Sequence, residues 1–167
     1  AENYGIEVEA RKNLGFLGGL LKPFTFTGNF TKIESSVEFT DYKPGAVPGE
    51  FISYTNTRPL QGQSPWMVNL SLLFDLPRTG TAFNFLFNKF GRRLDLVADH
   101  RPEDIYEEPR DMVDFAWTQS LGPNVRTKFT IHNLLGVDEV YSYLEGEKEY
   151  SRVIIGKTYS LQFGFRM

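Results

Sequence analysis

The stretch Val153–Met167 alternates with a period of two. Its odd positions are Val153, Ile155, Lys157, Tyr159, Leu161, Phe163, Phe165 and Met167, and its even positions, Ile154 apart, are Gly156, Thr158, Ser160, Gln162, Gly164 and Arg166. Side chains alternate across a β-strand, so one face is apolar and aromatic while the other is small or polar. A strand of this kind with no helix pattern beside it needs something to cover its apolar face. The fold then depends on which solvent that face meets.

The same alternation recurs along the chain. Tyr4–Arg11 places Tyr4, Ile6, Val8 and Ala10 opposite Glu7, Glu9 and Arg11. A glycine-rich turn follows over 13–23, and a second strand starts near Phe24 with Phe24, Phe26 and Phe30 in phase. Its phase changes at Ile33, Val37 and Phe39, which predicts either a bulge near Thr31-Lys32 or an upper half that stands clear of the apolar layer. Strand three is the clearest: Trp66, Val68, Leu70, Leu72, Phe74 and Leu76 against Met67, Asn69, Ser71 and Asp75. Strand four has Phe83, Phe85 and Phe87 in phase, with a shift near Lys89–Gly91. Strand five carries Val113, Phe115 and Trp117 against Asp114, and strand six Val125, Phe129 and Ile131 against Arg126, Lys128 and His132. With the last strand this predicts an all-β, antiparallel up-and-down meander of about seven strands and no convincing helix.

The connections alternate in length. Tight turns at Pro77–Gly80 and Gly122–Asn124 share one end with the glycine-rich turn. Long loops at Asp41–Gln63, Val97–Pro109 and Gly136–Arg152 share the other. Outer-membrane barrels have this asymmetry, with short periplasmic turns and long extracellular loops, so the C-terminus is expected on the periplasmic side. A formal net charge of -3 and the lack of a basic run argue against a nucleic-acid partner. With no cysteine there are no disulfides or thiolate metal sites. No run of about 18 apolar residues marks a transmembrane helix, which leaves strands as the route across a bilayer.

Period alone does not separate a membrane barrel from a soluble barrel or sandwich that binds an apolar ligand, since both alternate in the same way. Three features favour the membrane. The apolar faces are aromatic over roughly 9–11 positions, about what a tilted strand needs to cross the hydrocarbon. The opposite face is mixed in charge and rich in Asn, Ser and Thr, and the long loops gather at one end.

At this point the residues resemble a family. Asn3–Leu14, with Gly5-Ile6-Glu7-Val8-Glu9, is similar to the "G-x-E-x-E" strand and leucine-rich turn of TonB-dependent outer-membrane receptors. Pro65–Leu72 resembles that family's proline-led strand with a central "N-L-S". Tyr106-Glu107-Glu108-Pro109-Arg110 with Val113-Asp114 resembles the entry to its third-last strand, Asn133-Leu134-Leu135 the "N-L-L" ending its penultimate strand, and Gly156–Leu161 the "G-R-T-F-x-L" opening its last. The family usually ends on an aromatic residue, whereas here Arg166-Met167 follow Phe165. The resemblance implies that residues 1–167 form the C-terminal portion of a larger transmembrane β-barrel. The plug domain and N-terminal barrel strands are expected outside this stretch. It further implies a location in the cell outer membrane and energy-coupled uptake of a scarce solute such as an iron–siderophore, cobalamin or an oligosaccharide. The implied partners are the remaining barrel strands, the plug, the inner-membrane TonB complex acting through the plug, and outer-membrane lipid.

Candidate site residues follow from position. Trp66, Leu70, Phe74, Phe115, Phe129, Phe163 and Phe165 are expected to face lipid, with Trp66 in the interfacial aromatic girdle. Glu7, Glu9, Arg11, Asp75, Asp114, Arg126 and Lys128 are expected to face the lumen, in contact with a plug or simply hydrated. Tyr54, Arg58, His100, Arg101, Tyr106, Tyr141 and Tyr143 are the loop candidates for ligand contact. No nucleophile turn is visible, so no catalytic residue, metal or cofactor is assigned. His100 and His132 have no closely spaced partner ligand, and the acidic residues of 99–108 read as a solvated loop.

Overall fold

The computed structural model describes residues 1–98, 103–143, 146 and 148–166. The chain is all-β with antiparallel pairing. Its main sheet has eight strands: β1 (Glu2–Asn13), β2 (Phe24–Pro44), β3 (Phe51–Arg58), β4 (Trp66–Leu76), β5 (Thr81–Phe90), β8 (Met112–Ser120), β9 (Val125–His132) and β12 (Thr158–Phe165). The order is β1-β2-β4-β5-β8-β9-β12, with β3 paired to the upper part of β2. These seven in-line strands are the seven read from the alternation. The sheet is open, with β1 and β12 as its edges.

The register keeps side-chain parity across the whole sheet. Directly opposed residues share a face, and the sequence Phe24↔Phe74↔Phe83↔Trp117↔Phe129↔Leu161 runs from β2 to β12 without a slip. β1 joins at Val8↔Phe30. One face therefore collects the even residues of β1, lower β2 and β4 and the odd residues of β5, β8, β9 and β12.

The phase change in β2 is not a bulge. β1 pairs with β2 in unbroken register from Asn13↔Thr25 to Glu2↔Ser36. What changes is the neighbour: Phe24–Lys32 pair with β4, and Val37–Pro44 pair with β3. The upper strand stands clear of the apolar layer, so its apolar residues are free to point the other way.

All three predicted long loops contain strands. Asp41–Gln63 holds the end of β2 and β3, a hairpin with Asp41↔Tyr54 in register. Within 97–109 lies β7 (Ile105–Glu107), and within 136–152 lie β10 (Glu139–Tyr143) and most of β11 (Lys148–Val153). Together with β6 (Arg93–Leu96) these form a second, four-stranded sheet, β11-β10-β7-β6, at the long-connection end. The strands are short, and two of their pairings slip in register, at Leu94/Leu96 and at Tyr141/Ser142. Short segments with displaced phase leave little alternation to read. The predicted shift at Lys89–Gly91 is a strand end, where β6 leaves the main sheet.

The terminal stretch is also divided. β11 ends at Val153, 154–157 carry no strand, and β12 begins at Thr158. Strand six stops at His132 and not at Leu135, because Asn133 takes a left-handed conformation with φ 54. Its side chain compensates. Nδ2 donates to the carbonyls of Val137 and Gly156, both at 2.8 Å, and Oδ1 accepts from Val137 N–H at 3.0 Å. Asn133 N–H donates to Asp114 Oδ1 at 3.0 Å. One buried amide thus ties the end of β9 to the start of β12 and to β8.

Among the described residues the main sheet has no covering layer. Their buried apolar side chains are Phe90, Leu94 and Ile105, all at the junction of the two sheets, whereas Phe163 is 60% and Phe165 73% exposed. No helix among the described residues is long and apolar enough to cross a membrane.

The Asn133 junction should be costly to remove. Asn133→Gly keeps the backbone conformation and loses three hydrogen bonds. We expect a loss of about 1–3 kcal/mol from leaving these part-buried carbonyls unpaired, read as a lower urea midpoint of the refolded chain. Asn133→Asp should lose at least as much: it keeps the acceptor for Val137 N–H but sets a carboxylate oxygen against the carbonyls of Val137 and Gly156.

Candidate functional site

Three regions bear on function: the two faces of the main sheet and the second sheet above them. The apolar face carries a continuous aromatic row. Phe24 and Phe74 lie 5.0 Å apart between ring centroids, Phe74 and Phe83 5.8 Å, Phe83 and Phe115 6.1 Å, and Phe85 and Phe115 4.9 Å. Phe129 stacks with Tyr159 at 6.5 Å. Such offset pairs add to the burial of ring area once the face is out of water. All seven residues expected to face lipid lie here. Leu70 sits between Gly28 and Phe87, Phe115 between Phe85 and Ile131, and Phe163 and Phe165 oppose Thr127 and Val125. Trp66 closes the long-connection end of β4 opposite Lys32. Its indole passes over Gly91, where a Cβ would come within 2.7 Å of Nε1.

The opposite face is a hydrogen-bonded polar surface. Asn29, Asn69 and Asn88 form a row in register across β2, β4 and β5, with Glu9 opposite Asn29 on β1. Asn88 Nδ2 donates to Asn69 Oδ1 at 2.7 Å, Ser71 Oγ to Asn84 Oδ1 at 2.8 Å, and Asn29 Nδ2 donates to Glu7. A shallow hollow of about 280 Å³ lies over this row and reaches Met112 and Asp114. All seven residues expected to face the lumen lie on this side. Arg11 opposes Thr27, Asp75 opposes Ala82, Arg126 opposes Ser120 and Gly164, and Lys128 opposes Thr118 and Gln162. Asp114 Oδ2 lies 2.9 Å from His132 Nδ1, while its other oxygen holds Asn133. The alternation placed these side chains on one face. Only the register shows that three asparagines line up.

The second sheet holds an ion-pair cluster that the sequence reading passed over as a charged loop. Two guanidinium groups approach the Phe90 ring, Arg93 at 4.6 Å and Arg110 at 5.6 Å from its centroid. Arg93 Nε donates to Glu107 Oε2 at 2.7 Å, and Arg110 Nη2 pairs with Glu139 at 2.7 Å. Arg110 Nη1 lies 3.3 Å from Glu107 Oε1 without hydrogen-bond alignment. Arg92 Nε donates to Glu108 Oε1 at 2.8 Å, and Ser142, also buried, donates to the same carboxylate. Glu107 is only 3% exposed. The available signal was Arg92-Arg93 set against Glu107-Glu108, but bringing them together requires the antiparallel pairing of β6 with β7.

The loop candidates divide. Tyr106 and Tyr141 belong to this cluster: Arg92 lies 4.2 Å above the Tyr106 ring, and Tyr141 opposes Glu107 in register. Burial, then the charges of Glu107 and Glu139, raise the pKa of Tyr141 above that of an ordinary phenol. Tyr143 stands at the end of β10 with Lys148 6.0 Å from its ring centroid. Tyr54 and Arg58 sit apart on β3. Tyr54 Oη donates to Asp41 at 2.8 Å, and Arg58 stacks on Phe39 at 4.9 Å. His100 and Arg101 lie outside the described residues. A second hollow, about 310 Å³, lies below the cluster between β2 and β6, lined by Ser35, Gln63, Arg92, Arg93 and Tyr106 among others. Among the described residues no three His, Cys, Asp or Glu side chains gather as a metal site.

No family model matches the chain, and neither a curated protein nor a solved structure matches it.

Two tests follow from this geometry. Glu107→Gln leaves Arg93 without its countercharge and leaves Arg110 with Glu139 alone. Breaking a buried pair in this way costs about 3–5 kcal/mol, and we expect selective proteolysis within β6–β11 while the main sheet stays protected. At the β2–β3 hairpin, the hydrogen bond from Tyr54, then that from the Tyr42 N–H, holds the Asp41 carboxyl below the usual carboxylate range. A depressed carboxylate stabilises the fold above its unfolded pKa and loses that contribution as pH falls through the folded value. Acid titration through the lowered Asp41 pKa should therefore release Tyr54, seen as a change in its ring resonances that Asp41→Asn abolishes.

Proposed function

We propose that this chain is the C-terminal part of a transmembrane β-barrel of the TonB-dependent receptor type, acting in energy-coupled uptake of a scarce solute across an outer membrane. The observation that carries the reading is the uncovered apolar face, continuous over seven strands in unbroken register and backed by a hydrogen-bonded polar face. In water, each large apolar side chain left exposed forgoes about 1.5–3 kcal/mol of burial. In a bilayer that face is satisfied, and paired strands satisfy the backbone. β4, β5 and β8 have 11, 10 and 9 residues, the length that spans the hydrocarbon at a tilt of about 45°.

On this reading the apolar face meets lipid, and Trp66 sits in the outer girdle. The Asn29–Asn69–Asn88 row, with Glu7, Glu9, Asp114 and Lys128, lines the lumen against the plug or the solute path. The second sheet and the β2–β3 hairpin are extracellular, and the turns at Pro77–Gly80 and Leu121–Asn124 are periplasmic. The ion-pair cluster makes the extracellular mouth a rigid platform, with Tyr106 and the adjoining hollow as the surface offered to a solute. An iron–siderophore, cobalamin or an oligosaccharide all fit the class. The barrel segment performs no bond chemistry. Energy reaches the solute through the plug and the inner-membrane TonB complex.

A soluble β-barrel binding an apolar ligand would also bury Leu70, so the face variants support the membrane reading only together with a lipid requirement for folding. In phosphatidylcholine vesicles, Leu70→Arg should lose about 2–4 kcal/mol if Leu70 faces the bilayer midplane, while Ser71→Arg should change stability little. If the wild-type chain is instead monomeric and folded in buffer without detergent or lipid, the membrane reading fails.

A further inference from the structure

We propose that the hollow on the polar face between β8, β9 and β12 is a binding site for a small phosphate monoester, held by Arg126 and Lys128. The site lies at the short-turn end, far from the second sheet. It goes beyond the uptake reading and does not depend on what covers the apolar face.

Charge is segregated along the sheet. The line Phe26↔Leu72↔Phe85↔Phe115↔Ile131↔Tyr159 crosses it in register, with Lys12 opposite Phe26 on β1. From this line to the short turns the charged residues are Lys12, Lys22, Arg78, Arg126, Lys128 and Arg166, against Asp75 alone. The chain as a whole has 18 Lys and Arg and 21 Asp and Glu, so the acids crowd the long-connection end. A net charge of -3 thus conceals a basic end, and a field of that sign raises the local concentration of anions.

Arg126 and Lys128 share the polar side of β9, two residues and so about 6.7 Å apart along the strand. The arginines of the second sheet hold carboxylates: Arg92 with Glu108, Arg93 with Glu107, Arg110 with Glu139. Among the described residues the side chains of Arg126 and Lys128 have no such partner. Asp75, reached from Lys128 through Thr118 and Ala82, stands three strands away. Like charges held side by side repel, and an anion between them removes that penalty.

The two side chains border a hollow of about 420 Å³, lined also by Thr118, Gln162, Phe163 and Gly164. None of these is acidic, so no carboxylate in the lining opposes an anion. Thr118 and Gln162 flank Lys128 from the two neighbouring strands, and both side chains carry hydrogen-bond donors. Gly164 opposes Arg126 without a side chain, which leaves room beside the guanidinium.

The chemical class follows from charge and shape. Two fixed positive charges match a dianion. A phosphate monoester carries about -1.5 to -2 at pH 7 and has three strong acceptor oxygens. The guanidinium fork takes two oxygens and the ammonium adds a point charge to the third. A lone carboxylate would neutralise one cation and leave the other. The hollow is of small-molecule size, which favours a small ester over an extended acidic peptide.

The test titrates the full chain, held in uncharged maltoside micelles, with glycerol 3-phosphate. Arg126 and Lys128 side-chain resonances are followed by NMR. We expect saturable shifts at both residues. Arg126→Gln and Lys128→Gln should each weaken binding by about tenfold or more. Both side chains are exposed, so neither substitution disturbs the packing, and circular dichroism checks the fold. Arg78→Gln, at the same end but outside the hollow, should leave the affinity unchanged. Acetate, and chloride at matched ionic strength, should give no saturable shift. The proposal is overturned by a lack of saturation with glycerol 3-phosphate, or by equal affinity for acetate or a Glu-rich peptide. Unchanged affinity in the Arg126→Gln/Lys128→Gln double variant overturns it as well. An equal loss in Arg78→Gln also does so, since it marks a diffuse field and not a site. None of these outcomes touches the barrel reading, which fails separately if the chain folds as a monomer in buffer alone.

Discussion

The structure depends on an unbroken antiparallel register. Side-chain period in a strand is two, so a slip of one residue at any seam would turn every later strand inside out. Across β1, β2, β4, β5, β8, β9 and β12 no such slip occurs. The result is a sheet with one apolar and one polar surface, although no second layer among the described residues defines an inside. Pinning comes from the tight turns at Pro77–Gly80 and Leu121–Asn124, and at the other end from Asn133, whose backbone N–H holds Asp114 of β8 while its side chain holds the carbonyl of Gly156 just before β12.

The two faces are stabilised by different physics. On the apolar face the aromatic row gains little in water and much in a medium that removes its rings from solvent. On the polar face, side chains bond to one another across strands, as with Asn69 and Asn88. Such a network holds its geometry whether water or another polar surface lies against it. The second sheet is held differently again. Its strands are too short to rely on pairing, and Arg93 and Arg110 meet over Phe90, with Glu107 and Glu139 supplying the countercharge.

Legibility in the sequence followed strand length. Strand three, with six apolar residues in phase from Trp66 to Leu76, reads without ambiguity, and β4 has these bounds. The faces of Glu7, Asp114 and Lys128 were readable for the same reason. β3, β7, β10 and β11 were not, because each is short or out of phase with its surroundings. The upper half of β2 was half legible: the phase change is real, but its cause is a change of neighbour, β4 along the lower half and β3 along the upper. In the candidate site, Tyr106 was named as a loop residue without its partner Arg92, since nothing local brings residue 92 to residue 106.

The sequence by itself determined the all-β class, the seven in-line strands and the division of side chains between two faces, because alternation is a local property that pairing preserves. Tertiary structure decided what depends on contacts between distant segments. It aligned Asn29, Asn69 and Asn88 into one row, brought Arg92, Arg93 and Arg110 together with Glu107, Glu108 and Glu139, and left β1 and β12 as parallel-running open edges. The terminal strand shows both. Its faces are written in Tyr159, Leu161, Phe163 and Phe165, but its direction relative to β1 exists only once the sheet is assembled.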